Sequence, residues 1–176
     1  QFWDPHAVPA GGDLGVDGLD RRWSLPSVDP LPADEALAGL RDALEMTFDA
    51  VDTDGLAIAF SGGVDSAVLA AALDAPLYTV GFEGSTDVEV ARDVADQLGR
   101  DLTVHELSVA ELESAVPRVA TAIDSTNAMN VQIALTLSFV AEAVSDDGYD
   151  RLVLGQGADE LFGGYAKIEA VDHRVE

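Results

Sequence analysis

The stretch Leu56-Ala57-Ile58-Ala59-Phe60 runs directly into Ser61-Gly62-Gly63-Val64-Asp65-Ser66, and this junction constrains the chain more than any other part of it. A short apolar run bounded by Gly55 and Gly62 reads as a strand buried on both faces, which only a sheet covered by helices on both sides can house. The small, apolar residues that follow predict a helix over Asp65–Leu73, stopped near Pro76. The same alternation continues. Leu77–Phe82 reads as a second strand, and Ser85 caps a helix running through Leu98, with Asp87 and Glu89 in its first turn and Gly99 at its end. Asp101–Leu107 reads as a third strand, Glu111–Ala122 and Asn130–Val144 as helices with Gly148 as the exit, and Arg151–Leu154 as a fourth strand. Strands alternating with helices imply right-handed crossovers and a doubly wound α/β domain, a parallel sheet with helices on both faces.

Ligands of such sheets sit at the carboxyl ends of the strands, where the glycine-rich junction falls. Gly62 and Gly63 permit positive φ and a close backbone approach. The N–H groups of Gly63 through Ser66 are then free at a helix start, where partial positive charge collects and a phosphate group fits. The hydroxyls of Ser61 and Ser66 add donors. The loop is not a Walker A motif, since G-x-x-x-x-G-K-[ST] is absent. With only 9 Lys and Arg in the chain, backbone donors must carry most of the binding.

Charge narrows the partners. There are 33 acidic residues and a net charge of -24, spread without any long acidic run. Nucleic-acid phosphates are disfavoured partners for such a surface. Adaptation to high salt fits it best, because molar salt screens repulsion within about 3 Å. A chain without Cys has no disulfide, thiolate nucleophile or thiolate metal site. No apolar stretch is expected to reach the roughly 18 residues of a membrane span, and no signal pattern opens the chain. The expectation is a cytoplasmic protein without membrane contact, its homo-oligomerisation open.

Residues 1–32, rich in Gly, Pro and Asp with Trp3, Trp23 and Leu25 as anchors, read as an irregular lead-in to a domain over 33–176. A helix over Ala33–Val51 carries Leu37, Leu40, Leu44 and Phe48 on one stripe. After the fourth strand comes a second glycine-rich loop, Gly155-Gln156-Gly157-Ala158-Asp159-Glu160, continuing to Leu161-Phe162-Gly163-Gly164-Tyr165. The chain then ends at Glu176 with no further helical region, which reads as a truncated C-terminal part.

The first loop resembles the pyrophosphate (PP) loop of the N-type ATP pyrophosphatases, whose fold is adenine nucleotide α-hydrolase-like. These include asparagine, GMP, NAD and argininosuccinate synthetases. The second loop resembles the signature of the asparagine synthetase synthetase domain, shared with β-lactam synthetases. Arg22-Trp23, Val80-Gly81-Phe82 and Ser85-Thr86-Asp87 are similar to that family too, so the likeness covers about residues 20–168. It implies a ligase that adenylates a carboxylate, aspartate first of all, releases pyrophosphate and passes an amine to the acyl group. Another carboxylate stays open as the acceptor, as does a nucleotide-binding subunit that serves a separate glutaminase.

Carried over by residue, the resemblance assigns Ser61, Gly62, Gly63, Val64, Asp65 and Ser66 to the phosphates of ATP. It gives Phe60 and Val80 to the adenine, and Gly155 and Gly157 to the nucleotide's other side. Asp65 and Asp159 would hold Mg²⁺, which favours one or two carboxylates with phosphate oxygens. Read alone, Asp65 is a first-turn acid that complements a helix dipole, and Asp159 a solvated loop acid. Gln156 departs from the Glu usual in the family; it implies either a different acceptor and base or a hydrogen bond to substrate, since an amide takes no proton at neutral pH. The family's glutaminase uses an N-terminal Cys, so nitrogen is expected as free ammonia, from another polypeptide, or from a removed domain. Lys167 lies too near Tyr165 to be the family's downstream Lys. His6, His105 and His173 have no ligand spacing, and Asp124, Asn127 and Asn130 read either as caps or as substrate contacts.

Overall fold

A computed structural model describes residues 12–15, 18–24 and 29–162. The motif residues Gly163, Gly164, Tyr165 and Lys167 lie outside them, as do Trp3, His6, Leu25 and His173. Two short strands, β1 (Gly12–Gly15) and β2 (Gly18–Arg21), pair antiparallel with Gly15 opposite Gly18. Part of the lead-in expected to be irregular is therefore a hairpin, and Arg22 ties it by donating to Asp13 Oδ2 at 3.0 Å. Strands this short and glycine-rich leave no alternating pattern to read. Trp23 is 57% exposed.

The remainder alternates as the sequence predicts, with boundaries moved by a residue or two, except that a short helix over Ala158–Phe162 forms inside the stretch read as the second loop. In order come α1 (Ala33–Asp49), β3 (Leu56–Ala59), α2 (Val64–Ala72), β4 (Leu77–Gly81), α3 (Thr86–Leu98), β5 (Leu102–Glu106), α4 (Val109–Ala122), α5 (Ala128–Asp146), β6 (Arg151–Val153) and α6 (Ala158–Phe162). The sheet is wholly parallel, in the order β5-β4-β3-β6. Its direction of growth reverses at β3. β4 and β5 are laid down on one side and β6 on the other, with Leu56 opposite Arg151.

Alternate residues of each strand feed opposite layers, as pleating requires. Leu56, Ile58, Phe60 and Leu77 pack with Ala70 of α2 and Ala91 and Ala95 of α3. Ala57 and Tyr78 face the other way, onto Val140 and Val144 of α5, and α5 in turn packs on Ala115 and Val119 of α4. Tyr78 donates to Asp147 Oδ2 at 2.7 Å, and burial, then that bond, hold its phenol well above the ordinary range. Arg100, just past α3, donates to the carbonyls of Ala70, Leu73 and Ala75, which cap the end of α2.

Four local expectations are corrected. Helix α1 buries none of its stripe fully, and only Phe48 reaches the core. Ser85 is the residue before α3, yet its hydroxyl makes no capping bond and is buried without a partner among the described residues, turned toward Gly81. Helix α4 starts earlier than read, on a capping box between Ser108 and Glu111 that the S-x-x-E spacing spells. That reciprocal bonding holds the Glu111 carboxyl below its ordinary value. Finally α5, at 19 residues and mean hydropathy 1.3, is long and apolar enough to cross a membrane, against the expectation that no stretch would be. In the fold it serves as a core helix, laying Val131, Leu135, Phe139, Val140 and Val144 against the sheet and α4.

Candidate active site at the switch point of the sheet

The strand order reverses at β3, and a switch point of this kind leaves a crevice outside the carboxyl ends of the strands. A cavity of about 300 Å³ occupies it, a size suited to a small-molecule site. Ten of the twelve candidate residues line it: Phe60, Ser61, Gly63, Asp65, Ser66, Val80, Gly155, Gln156, Gly157 and Asp159. Gly62 and Val64 do not.

The glycines divide the work. Gly62 has φ +77°, and a Cβ there would stand 3.0 Å from Ala91 Cα and 3.1 Å from the Val90 carbonyl oxygen. The left-handed turn and the close contact with α3 both require a glycine here. Gly63 is extended, with φ -72°, and its missing side chain leaves open space apart from Ser61 Oγ. Gly155 permits the two loops to meet: a Cβ on it would lie 2.8 Å from Asp65 Cβ and 3.2 Å from Ser66 N. Val64 points away, 75% exposed.

The hydroxyls also depart from expectation. Ser66 is buried and donates to the Gly63 carbonyl at 3.0 Å while accepting from Ser61 N at 3.3 Å. Ser61 Oγ lies 3.2 Å from Ser66 Oγ and accepts from Gly63 N at 3.3 Å. Both hydroxyls and the Gly63 N–H thus knit the loop. They preorganise it rather than stand free as ligand donors. The N–H groups of Val64, Asp65 and Ser66 have no partner among the described residues, and they form the positive end of α2.

Asp65 and Asp159 are half-buried and line the same cavity from the starts of α2 and α6. Among the described residues no group of three or more His, Asp or Glu could hold a metal unaided, and no Lys or Arg lines the cavity. Such a donor set suits a hard divalent cation completed by ligand oxygens and water. Gln156 is exposed at the rim. Phe60 is 2% exposed, its ring packed in the core beneath the cavity, so it shapes the floor rather than offering a stacking face. Val80 is half-buried and lines the wall.

Sequence reasoning missed the opposite wall, made by Thr136, Leu137 and Val140 of α5 and by Tyr78 and Thr79 of β4. In sequence these positions look like any apolar helix stripe or core strand. Asp124, Asn127 and Asn130 lie elsewhere. Asn127 caps α5, accepting from Met129 N and Asn130 N, and Asn130 donates to Ser125 Oγ, which decides for capping. Asp124 carries a positive φ of 47° in the turn before α5. His105 lines a separate surface hollow with Glu111 and Arg118.

Residues 38–175 match the family model described as asparagine synthase. A protein of Methanocaldococcus jannaschii named as a glutamine-hydrolyzing asparagine synthetase is 39% identical over 122 residues, covering 67% of this chain and 23% of that protein. A glutamine-hydrolyzing asparagine synthetase of Asparagus officinalis is 27% identical over 137 residues, covering 68% and 23%. The chain thus spans less than a quarter of these relatives' length. Among solved structures, the NH3-dependent NAD synthetase of Campylobacter jejuni is similar with TM-score 0.46 and 18% identity, over 77% of this chain and 62% of that one.

Proposed function

The chain belongs to the asparagine synthase family, and on that premise we propose that it carries the ATP-cleaving site of an amidoligase. The observation that supports this most is the meeting of two loops at the switch point. Asp65 and Ser66, whose N–H groups have no partner among the described residues, line the same cavity as Asp159. ATP lies with its β- and γ-phosphates on the start of α2 and its base toward the apolar wall of Val80, Leu137 and Val140. Mg²⁺, held by Asp65 and Asp159, would neutralise phosphate charge that a chain so poor in cations leaves uncompensated.

An oxygen of the acceptor carboxylate attacks the α-phosphorus, the bond to the bridging oxygen breaks, and pyrophosphate departs toward the free N–H groups. An amine then attacks the acyl carbon and AMP leaves. The chain contributes positioning and fixed dipoles, which need no reorganisation during the step. Aspartate with ammonia, giving asparagine, is the acceptor pair the family implies. Gln156 at the rim supports a second reading, a different carboxylate, because its amide supplies no base. The nitrogen comes as free ammonia or from a glutaminase on another chain or domain.

The test is pyrophosphate release by the full-length protein, with Mg²⁺ and ammonia, across aspartate and other small acids. Asp65→Asn and Asp159→Asn should each lower turnover by about 100-fold or more while melting within a few degrees of wild type. Wild-type turnover in both variants at saturating Mg²⁺ would remove these carboxylates from the site. Gln156→Glu should raise amide formation if aspartate is the acceptor and lower it if the amide itself contacts a different acid.

A further inference from the structure

A second cavity, of about 740 Å³, lies beside the first, between α4, α5 and the carboxyl ends of β4 and β5. Its walls are mostly apolar, with Phe82, Leu107, Leu112, Val131, Leu135 and Phe139 among them. Val80 and Thr136 line both cavities. They stand between the two, Val80 half-buried and Thr136 exposed.

We infer that Thr136, with Val80, sets the size limit on the base of the bound nucleotide, by closing the nucleotide cavity against this apolar chamber. The inference rests on the nucleotide reading above. The first cavity has a polar end, where Ser61, Gly63, Asp65 and Asp159 meet, and an apolar end, where Val80, Leu137 and Val140 meet. Phosphates occupy the polar end, so a base is left with the apolar one, against Val80 and Thr136. The Thr136 hydroxyl donates to the Gln132 carbonyl at 3.2 Å, one helical turn back. Its proton is committed to the helix, and Thr136 meets a ligand as a wall rather than as a donor. Here a single side-chain layer separates the base from a chamber of apolar character, so trimming that layer adds room instead of a closed void.

Titration calorimetry on the full-length protein tests this, with Mg·ATP, N6-benzyl-ATP and an ATP carrying an alkyl group at C2 as ligands. Wild type should bind ATP at least about tenfold more tightly than one or both enlarged nucleotides. Thr136→Ala should narrow that ratio by about tenfold, as the apolar group enters the chamber. Adding Leu112→Trp to Thr136→Ala fills the far side of the chamber and should restore the ratio. Val80→Ala carries the same expectation as Thr136→Ala if the latter does not fold. Equal affinity of wild type for ATP and both enlarged nucleotides overturns the inference without any variant. So does an unchanged ratio in a folded variant that still binds ATP. Failure of wild type to bind ATP at all instead removes the nucleotide reading, and the inference with it.

Discussion

Gly155→Ala probes whether the two loops act as one site, because the substitution is the smallest that separates them. The added Cβ would stand 2.8 Å from Asp65 Cβ and 3.2 Å from Ser66 N, against ordinary contacts that begin near 3.4 Å, so about 0.6 Å of movement is required. The nearest atoms belong to the backbone and stem of the α2 start, not to the end of a flexible side chain. Relief must therefore come from displacement of one loop relative to the other. Overpacking of this kind costs about 1–3 kcal/mol. In a chain of this size that lowers the melting temperature by roughly 2–12 °C, at about 2–4 °C per kcal/mol. Function should suffer more than stability, since a displacement approaching 1 Å at a reacting centre can cost about 100-fold in rate. Gly157→Ala is the control. It meets nothing within 4 Å but has φ +95°, so it carries backbone strain without a collision. Scanning calorimetry and ATP titration on both variants, at high salt, separate the two effects. Gly155→Ala with wild-type melting and wild-type ATP affinity would refute the close approach of the loops.

Two further outcomes are expected. Gly62→Ala should destabilise the fold by about 1–3 kcal/mol, from a left-handed φ and contact with the α3 backbone, whereas Gly63→Val should melt within a few degrees of wild type yet bind ATP at least about tenfold more weakly; the reverse order, read by thermal melts and calorimetry, would misassign both glycines. Tyr78→Phe should cost about 1 kcal/mol at neutral pH through the lost bond to Asp147. The Tyr78 phenol is raised from 10.0 in the fold, so its contribution is full below pH 10 and fades as pH rises toward the folded value. The wild-type advantage in urea unfolding should accordingly shrink above pH 10, and parallel stability curves for the two proteins would contradict that.

What was legible in the sequence was local. The strand before Ser61, the turn at Gly62-Gly63 and the helix after it are short-range consequences of apolar run, glycine and capping, and they survive in the structure with boundaries shifted by a residue or two. Gly99 ending α3 with φ +65° and Asn127 capping α5 belong to the same class. The site itself was half legible: which residues lie on it, but not what each does. Tertiary structure alone laid β6 beside β3, and that pairing brings Gly155 onto Asp65 and makes one cavity of two loops far apart in the chain. Packing also decided that Gly62 presses on α3 while Gly63 leaves open space, that Ser61 and Ser66 bond each other, and that Thr136 lines the far wall. Periodicity and capping report each residue's immediate neighbours. Strand order and the contacts across it depend on which faces bury one another, a choice made by the whole sheet and its helices together.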